Sequence, residues 1–413
     1  VGICPGETAE ITVNNSEINI DYQLRYDSND NNVGASVNGT GGILTFSVSP
    51  AATTDYNVLA SDGFGCSVEL ANISTVTVYS EPDNSRAVTG TTVCKGETAS
   101  IKLINSENNI SYQLRKELDD ANVGSPQTGN GNVLTFNVTP TSTTTYNVLA
   151  ANLNGCAVEM SNKPVVTVND LPNQSLGVDN PVICKNETAT ITLSNSENDV
   201  VYQLRLDSDD SDVGSPESGD GNDITFDVTP LSTTIYNIWA TTNNGCSIEL
   251  TDKSTVTVHD LPADNLAVNN DIVCDGETAT ITVSNSENSI EYKLYRQSDD
   301  TQIGSAINGD GNDIDFVFTP VTDNNYYVTA TNSNNCTVQL TDVSSVTVND
   351  LPTTNLAVSG EIICSGETAT ISITNSEVGV DYQLRKDSDN SSIGLAKAGN
   401  NGILTFEVTP SVT

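Results

Sequence analysis

Cys4, Cys94, Cys184, Cys274 and Cys364 recur at a constant spacing of 90 residues, and the rest of the chain keeps step with them. Tyr22, Tyr112, Tyr202, Tyr292 and Tyr382 recur at the same interval, as do Phe46, Phe136, Phe226, Phe316 and Phe406, and then Tyr56, Tyr146, Tyr236 and Tyr326. A second cysteine, Cys66, Cys156, Cys246 or Cys336, always follows the first at one fixed interval. No insertion or deletion breaks the period, so one structural unit is expected to repeat along the whole chain. The repeats run 1–81, 82–171, 172–261, 262–351 and 352–413. The first is incomplete at its N-terminal side and the last at its C-terminal side, so the 413 residues are expected to be a piece of a longer array.

Within a repeat, apolar residues alternate with polar ones at a period of two. Ala279, Ile281 and Val283 alternate with threonines; Ile314, Phe316 and Phe318 do the same. Such segments present one apolar face to a core and one polar face to water, as antiparallel strands do, and no helical period competes with them. In the fourth repeat, strands are expected near 266–268, 278–284, 291–295, 302–305, 314–319, 326–331 and 336–348, the last interrupted around Thr341 and Asp342. Seven short strands in about 90 residues predict an all-β chain, a tandem array of immunoglobulin-like β-sandwiches. The tyrosine that opens the sixth strand, such as Tyr146, fits that fold's tyrosine corner.

Two cysteines per complete repeat, in a chain with one histidine, read as disulfides rather than as zinc ligands, which would need a third and fourth partner. All nine cysteines are candidates, and an extracellular or cell-surface location follows. The pairing stays open. Pairing within a repeat, such as Cys94 with Cys156, leaves Cys364 alone. However, those two positions fall at opposite poles of an immunoglobulin-like sandwich, whereas a disulfide tolerates Cα separations of only up to about 7 Å. Pairing between neighbours would instead join Cys4 to Cys156, Cys94 to Cys246 and Cys184 to Cys336.

The segments Cys94-Lys95-Gly96-Glu97-Thr98-Ala99 and Tyr146-Asn147-Val148, followed by Asn154-Gly155-Cys156, resemble the tandem Ig-like (PKD-like) repeats of very large Bacteroidota surface proteins, including SprB-type gliding-motility adhesins. That resemblance implies type IX secretion, surface attachment and service as a stalk or adhesive filament.

Charge narrows the partners. Acidic residues number 54 against 15 basic ones, a net charge of −39, which disfavours nucleic acid and anionic lipid. No apolar run approaches the roughly 20 residues of a membrane helix, so direct membrane insertion is not expected. Surface-attachment or secretion machinery would be met through regions outside these residues, with glycan or protein ligands as further partners. No enzyme motif is present, and His259, the one histidine, stands where other repeats place Asn169 and Asn349, beside a repeat boundary.

Calcium is the chemical candidate. Each repeat has an acidic turn after its Tyr-Gln-Leu-Arg-like block: Asp27 and Asp30; Asp119 and Asp120; Asp207, Asp209 and Asp210; Asp299 and Asp300; Asp387 and Asp389. Oxygen ligands at such spacing suit calcium. Equally, Asp, Asn and Ser shape tight turns through their own side chains. A second acidic candidate lies at the joints, where Asp170, Asp260 and Asp350 could meet Glu187, Glu277 or Glu367. The recurring Arg25, Arg115, Arg205 and Arg385, shifted to Arg296 in the fourth repeat, are expected to pair with carboxylates such as Glu17 or Asp27. The expected function is the stalk or filament of a secreted bacterial adhesin, non-enzymatic, related to gliding or attachment and holding a distal adhesive domain away from the cell. From strand length, the piece would span on the order of 160–200 Å. The alternative is a multivalent array of glycan- or protein-binding modules.

Overall fold

A computed structural model describes residues 1–411; the last two residues of the fifth repeat lie outside them. The chain is all-β, a series of immunoglobulin-like sandwiches, and falls into two compact units. The first comprises residues 1–179, 190–227 and 235–254, the second 180–189, 228–234 and 255–413.

The second repeat, in the first unit, shows how the alternation becomes a sandwich. One sheet joins Leu134–Val138, Ala99–Leu103 and Val88–Thr89 in antiparallel order. The other joins Thr92–Cys94, Val165–Asn169, Thr144–Ala151, Ser111–Lys116 and Gln127–Thr128 in that order, with Ala157–Glu159 added beside Thr144–Ala151. The alternating apolar residues meet between the sheets. Ile101 and Leu103 from the first sheet pack with Tyr112, Leu114, Val148, Ala150 and Val166 from the second, all of them fully buried. Each large side chain removed from water there contributes about 1.5–3 kcal/mol. Leu114→Ala should therefore destabilise this sandwich by about 2–5 kcal/mol, measured by denaturant unfolding, while a change below about 1 kcal/mol would show that the core is not packed as described.

The first repeat has the same layers. Ala9–Val13 pairs with Leu44–Val48, and Ile20–Tyr26 pairs with Thr54–Asp62. In the second unit, Ala279–Val283 pairs with Ile314–Phe318, and Glu291–Arg296 lies between Thr301–Asn308 and Asn324–Thr331. The fifth repeat joins Val358–Ser359, Ala369–Ile373 and Leu404–Val408 in one sheet.

Three local expectations change. A strand that alternation does not reveal precedes each of the first four 90-residue cysteines, as in Asp271–Cys274. It pairs in parallel with the last strand of its repeat, here Thr337–Asn349. These strands have two to four residues, too short for a pattern to be visible. The expected break near Thr341 is absent in the fourth repeat, where a single 13-residue strand absorbs the irregularity as a register shift opposite Tyr327 and Thr329. A backbone-bonded phenol also occurs at a position other than the predicted corner. Tyr22, Tyr112, Tyr202, Tyr292 and Tyr382 each accept the N–H of the glutamate five residues earlier, at 2.9–3.0 Å.

Candidate functional site

The Cys-x-Gly-Glu segment is a turn that closes on itself. In all five repeats the glutamate carboxylate accepts the cysteine N–H, at 2.7 Å for Glu7 and 2.8 Å for Glu97, while the glutamate N–H donates back to the cysteine carbonyl. The turn needs a left-handed residue before the glutamate. Gly96 supplies it at φ 91°, and the third repeat uses Asn186 at φ 72°. The second cysteine sits in a hairpin turn where the Asn152 side-chain oxygen accepts the N–H groups of Asn154 and Cys156, as Asn332 does for Asn334 and Cys336.

These two turns meet across the joints. Cys4 is bonded to Cys156 and Cys94 to Cys246 in the first unit, and Cys184 to Cys336 in the second, with Cα separations of 5.4, 5.6 and 5.5 Å. The pairing is thus between neighbouring repeats, at an offset of 152 residues. Cys66, Cys274 and Cys364 are free, contrary to the expectation of a disulfide at each. Positions at the same offset and in the same direction from these three fall outside residues 1–413. Bridged hairpin cysteines are fully buried, whereas Cys66 is exposed.

The Pro-containing links are held as well. Pro82, Pro172 and Pro262 are buried. The residue after each donates its N–H to a glutamate 24 positions on, as Asp83 does to Glu107 and Asn173 to Glu197, both at 2.7 Å. From the hairpin side, Asn152 donates to the Ser80 carbonyl and Ser161 to that of Asn84. In the second unit, Asn332 and Thr341 make the matching bonds to Asp260 and Asp264. Five of the six joint carboxylates have partners: Asp170 and Asp260 pair with Lys95 and Lys185, and Glu187, Glu277 and Glu367 cap their cysteine turns.

The acidic turns are built from side chains that hold their own backbone. Asp119, Asp209, Asp299 and Asp389 each accept the N–H two residues on, at 3.0–3.2 Å, and Asn29 does so in the first repeat. Asp30, Asp120, Asp210, Asp300 and Asn390 follow in the left-handed region. The hydroxyl and N–H of Ser211 hold the Asp209 carboxyl below its ordinary range, and Ser391 does the same for Asp389. Asp27 and Asp387 lie in these turns, and Asp207 pairs with Lys253. Among the described residues no three His, Cys, Asp or Glu side chains are grouped to hold a metal. Since calcium would have to displace these donors, the melting temperature is expected to be the same within about 1 °C in calcium and in chelator; a calcium-dependent rise would instead support calcium binding at these turns.

The arginines do not meet Glu17 or Asp27. Arg25 donates to Asn57 at 3.0 Å and pairs with Asp30 and Glu69; Arg115 donates to Asn147 at 2.9 Å and pairs with Asp120 and Glu159. Two repeats depart from this network. Arg205 stacks on Trp239 at 4.7 Å and pairs with Asp212, which leaves the buried Asn237 side-chain oxygen without a hydrogen bond. In the fourth repeat, Tyr295 and Tyr327 occupy the arginine and asparagine positions, stack at 5.3 Å, and Tyr327 donates to Asp300.

Beside the second network, Glu117 accepts from Lys163 and Asn147, which holds its pKa below the ordinary glutamate value and raises that of Lys163. The carboxylate's contribution is present above about pH 4.3 and lost as pH falls through the lowered folded value. That of the ammonium is present below about pH 10.4 and lost as pH rises through the raised one. Glu117→Gln should flatten the acid limb of stability against pH, and an unchanged limb would exclude the pair as its source.

Residues 262–349 match the family model described as "Ig-like domain CHU_C associated". The repeats are Ig-like. No curated protein matches the chain. Among solved structures, a three-domain Ig segment of titin carrying a Glu-to-Ala change is 13% identical, covers 64% of this chain and 97% of that one, and has a TM-score of 0.37. An adhesin described as calcium-stabilized and helping an Antarctic bacterium reach out and bind ice is 14% identical over 84% of this chain and 96% of its own, with a TM-score of 0.33. The human desmocollin-1 ectodomain is 11% identical over 95% and 93%, with a TM-score of 0.24. The Ig-like reading rests on the sheets and the family match. No helix among the described residues is long and apolar enough to cross a membrane.

Proposed function

We propose that this chain is a section of the stalk or filament of a secreted bacterial surface adhesin of the Bacteroidota type, exported by type IX secretion and serving attachment or gliding, with adhesion residing in a distal domain. The observation that supports this reading is what the shared positions do. A binding array needs exposed side chains common to the repeats and free of folding work. Here the shared phenylalanines and the shared tyrosines other than the half-buried Tyr382 are core, the shared serines Ser16, Ser106, Ser196, Ser286 and Ser376 are buried, the shared glutamates cap turns and links, and six cysteines join neighbours. A groove of about 940 Å³ around Lys116, Leu118 and Pro140 has only about 180 Å³ at the matching place around Arg296 and Pro320. An acidic surface adds mutual repulsion: residues 172–261 hold 15 acids and 3 bases. The test is small-angle scattering together with binding assays. A maximum dimension on the order of 160–200 Å and no retention on immobilised glycans agree with a stalk. Affinity that rises with the number of repeats would favour the multivalent alternative.

A further inference from the structure

We propose that the disulfides thread the array with two interleaved covalent load paths that bypass the cores of the second and third sandwiches, so that tension cannot lengthen the protein by pulling those cores out. The stalk reading above supplies the setting in which tension acts; the physics follows from the bridge connectivity alone.

Each bridge spans 152 residues, longer than one 90-residue repeat, so successive closed loops overlap. A force entering at Cys4 crosses to Cys156, follows the backbone to Cys184, and crosses again to Cys336. Only the backbone between Cys156 and Cys184 bears it, although most of the chain lies between Cys4 and Cys336. A second path runs along the backbone to Cys94, crosses to Cys246, and continues along the backbone beyond it. Where one path uses a disulfide, the other uses the link. Neither path includes residues 95–155 or 185–245. Those segments contain Tyr112, Leu114, Phe136 and Val148, and Tyr202, Leu204, Phe226 and Ile238, with most of the buried side chains of the second and third repeats.

The loaded segments are braced. The strand ending at each bridged first cysteine, such as Val182–Cys184, pairs in parallel with the last strand of its repeat, Ser254–His259. In the third repeat each path enters from the second repeat and leaves to the fourth, one through Cys184 and the other through Cys246, so these two paired strands carry the tension side by side.

The experiment tethers the full chain at residues 1 and 413 and pulls it without reductant, reading the limiting contour length. The shortest covalent route uses residues 1–4, 156–184 and 336–413, about 110 residues, or roughly 380 Å at about 3.5 Å per residue. The reduced chain should reach roughly 1,400 Å. Two double variants separate this from a merely stabilising role. Cys94→Ser with Cys246→Ser should leave the limit at roughly 380 Å, because the first path survives intact. Cys4→Ser with Cys156→Ser should raise it to about 230 residues, roughly 800 Å, by the route through Cys94, Cys246, Cys184 and Cys336. The limit is set by which bridges are intact and not by how stably the sandwiches fold, so a variant that folds less stably still reports, with its remaining bridges verified by non-reducing peptide mapping. An unreduced chain that extends well past that first limit, or two double variants with equal limits, would overturn the proposal. Ligand binding along the repeats would overturn the stalk reading and leave these lengths unchanged.

Discussion

Removing one joint bridge, as in Cys94→Ser with Cys246→Ser, is expected to destabilise the repeats it joins by roughly 3–5 kcal/mol. Closing a loop of 152 residues restricts the unfolded chain strongly, and chain-entropy reasoning puts such a bridge near the upper end of the usual range. The loss is large beside the roughly 5–15 kcal/mol that holds a typical domain together, and repeats of about 90 residues bury modest cores. The folded side of the balance loses as well. Cys246 is fully buried, so a serine there places a hydroxyl in a site shaped for sulfur. Denaturant unfolding followed by circular dichroism reads the effect as a lower midpoint, and the wild-type chain in reductant should behave alike. A midpoint unmoved by both treatments would mean that the bridges add nothing to stability.

Gly129→Ala should cost about 3 kcal/mol or more, the high end for overpacking. A Cβ at Gly129 would lie 1.9 Å from the Glu107 carbonyl oxygen and 3.0 Å from the Tyr112 ring. Neither neighbour can yield easily. Glu107 donates its N–H to the Tyr112 hydroxyl at 3.0 Å, and Tyr112 is fully buried. Gly39, Gly219, Gly309 and Gly399 meet the same carbonyl in their own repeats, so the glycine is part of the unit's architecture. Thr128→Ala, at the exposed preceding position, serves as the control and should stay within about 0.5 kcal/mol. Equal melting shifts for the two substitutions would disprove the close approach.

Much of this protein is legible one repeat at a time. Alternation places Ile101, Leu103, Tyr112 and Leu114 in a core, and they are there because a strand's two faces are set by a two-residue period that needs no partner to be read. The turn chemistry of Asp119 and Asp209 is legible for the same reason, since the donor each one holds lies two residues on. The short strand Asp271–Cys274 is not legible, because four residues carry too little pattern and its stability comes from a parallel partner about 75 positions away. Sequence proximity points Arg25 to the nearest acids, whereas the fold brings it Glu69 and Asn57 from neighbouring strands. Tyr295 and Tyr327 look like scattered aromatics, yet the pairing of their strands sets them face to face in the place of an arginine and an asparagine.

By itself, then, the sequence determined the repeat, its strands, its core and the even spacing of its cysteines, all consequences of local periodicity. Which cysteine bonds to which was decided only by tertiary structure. The shorter interval within a repeat and the longer one between neighbours are equally permissible to a flexible chain, and the choice falls to the folded joint that brings the Cα atoms of Cys94 and Cys246 to 5.6 Å.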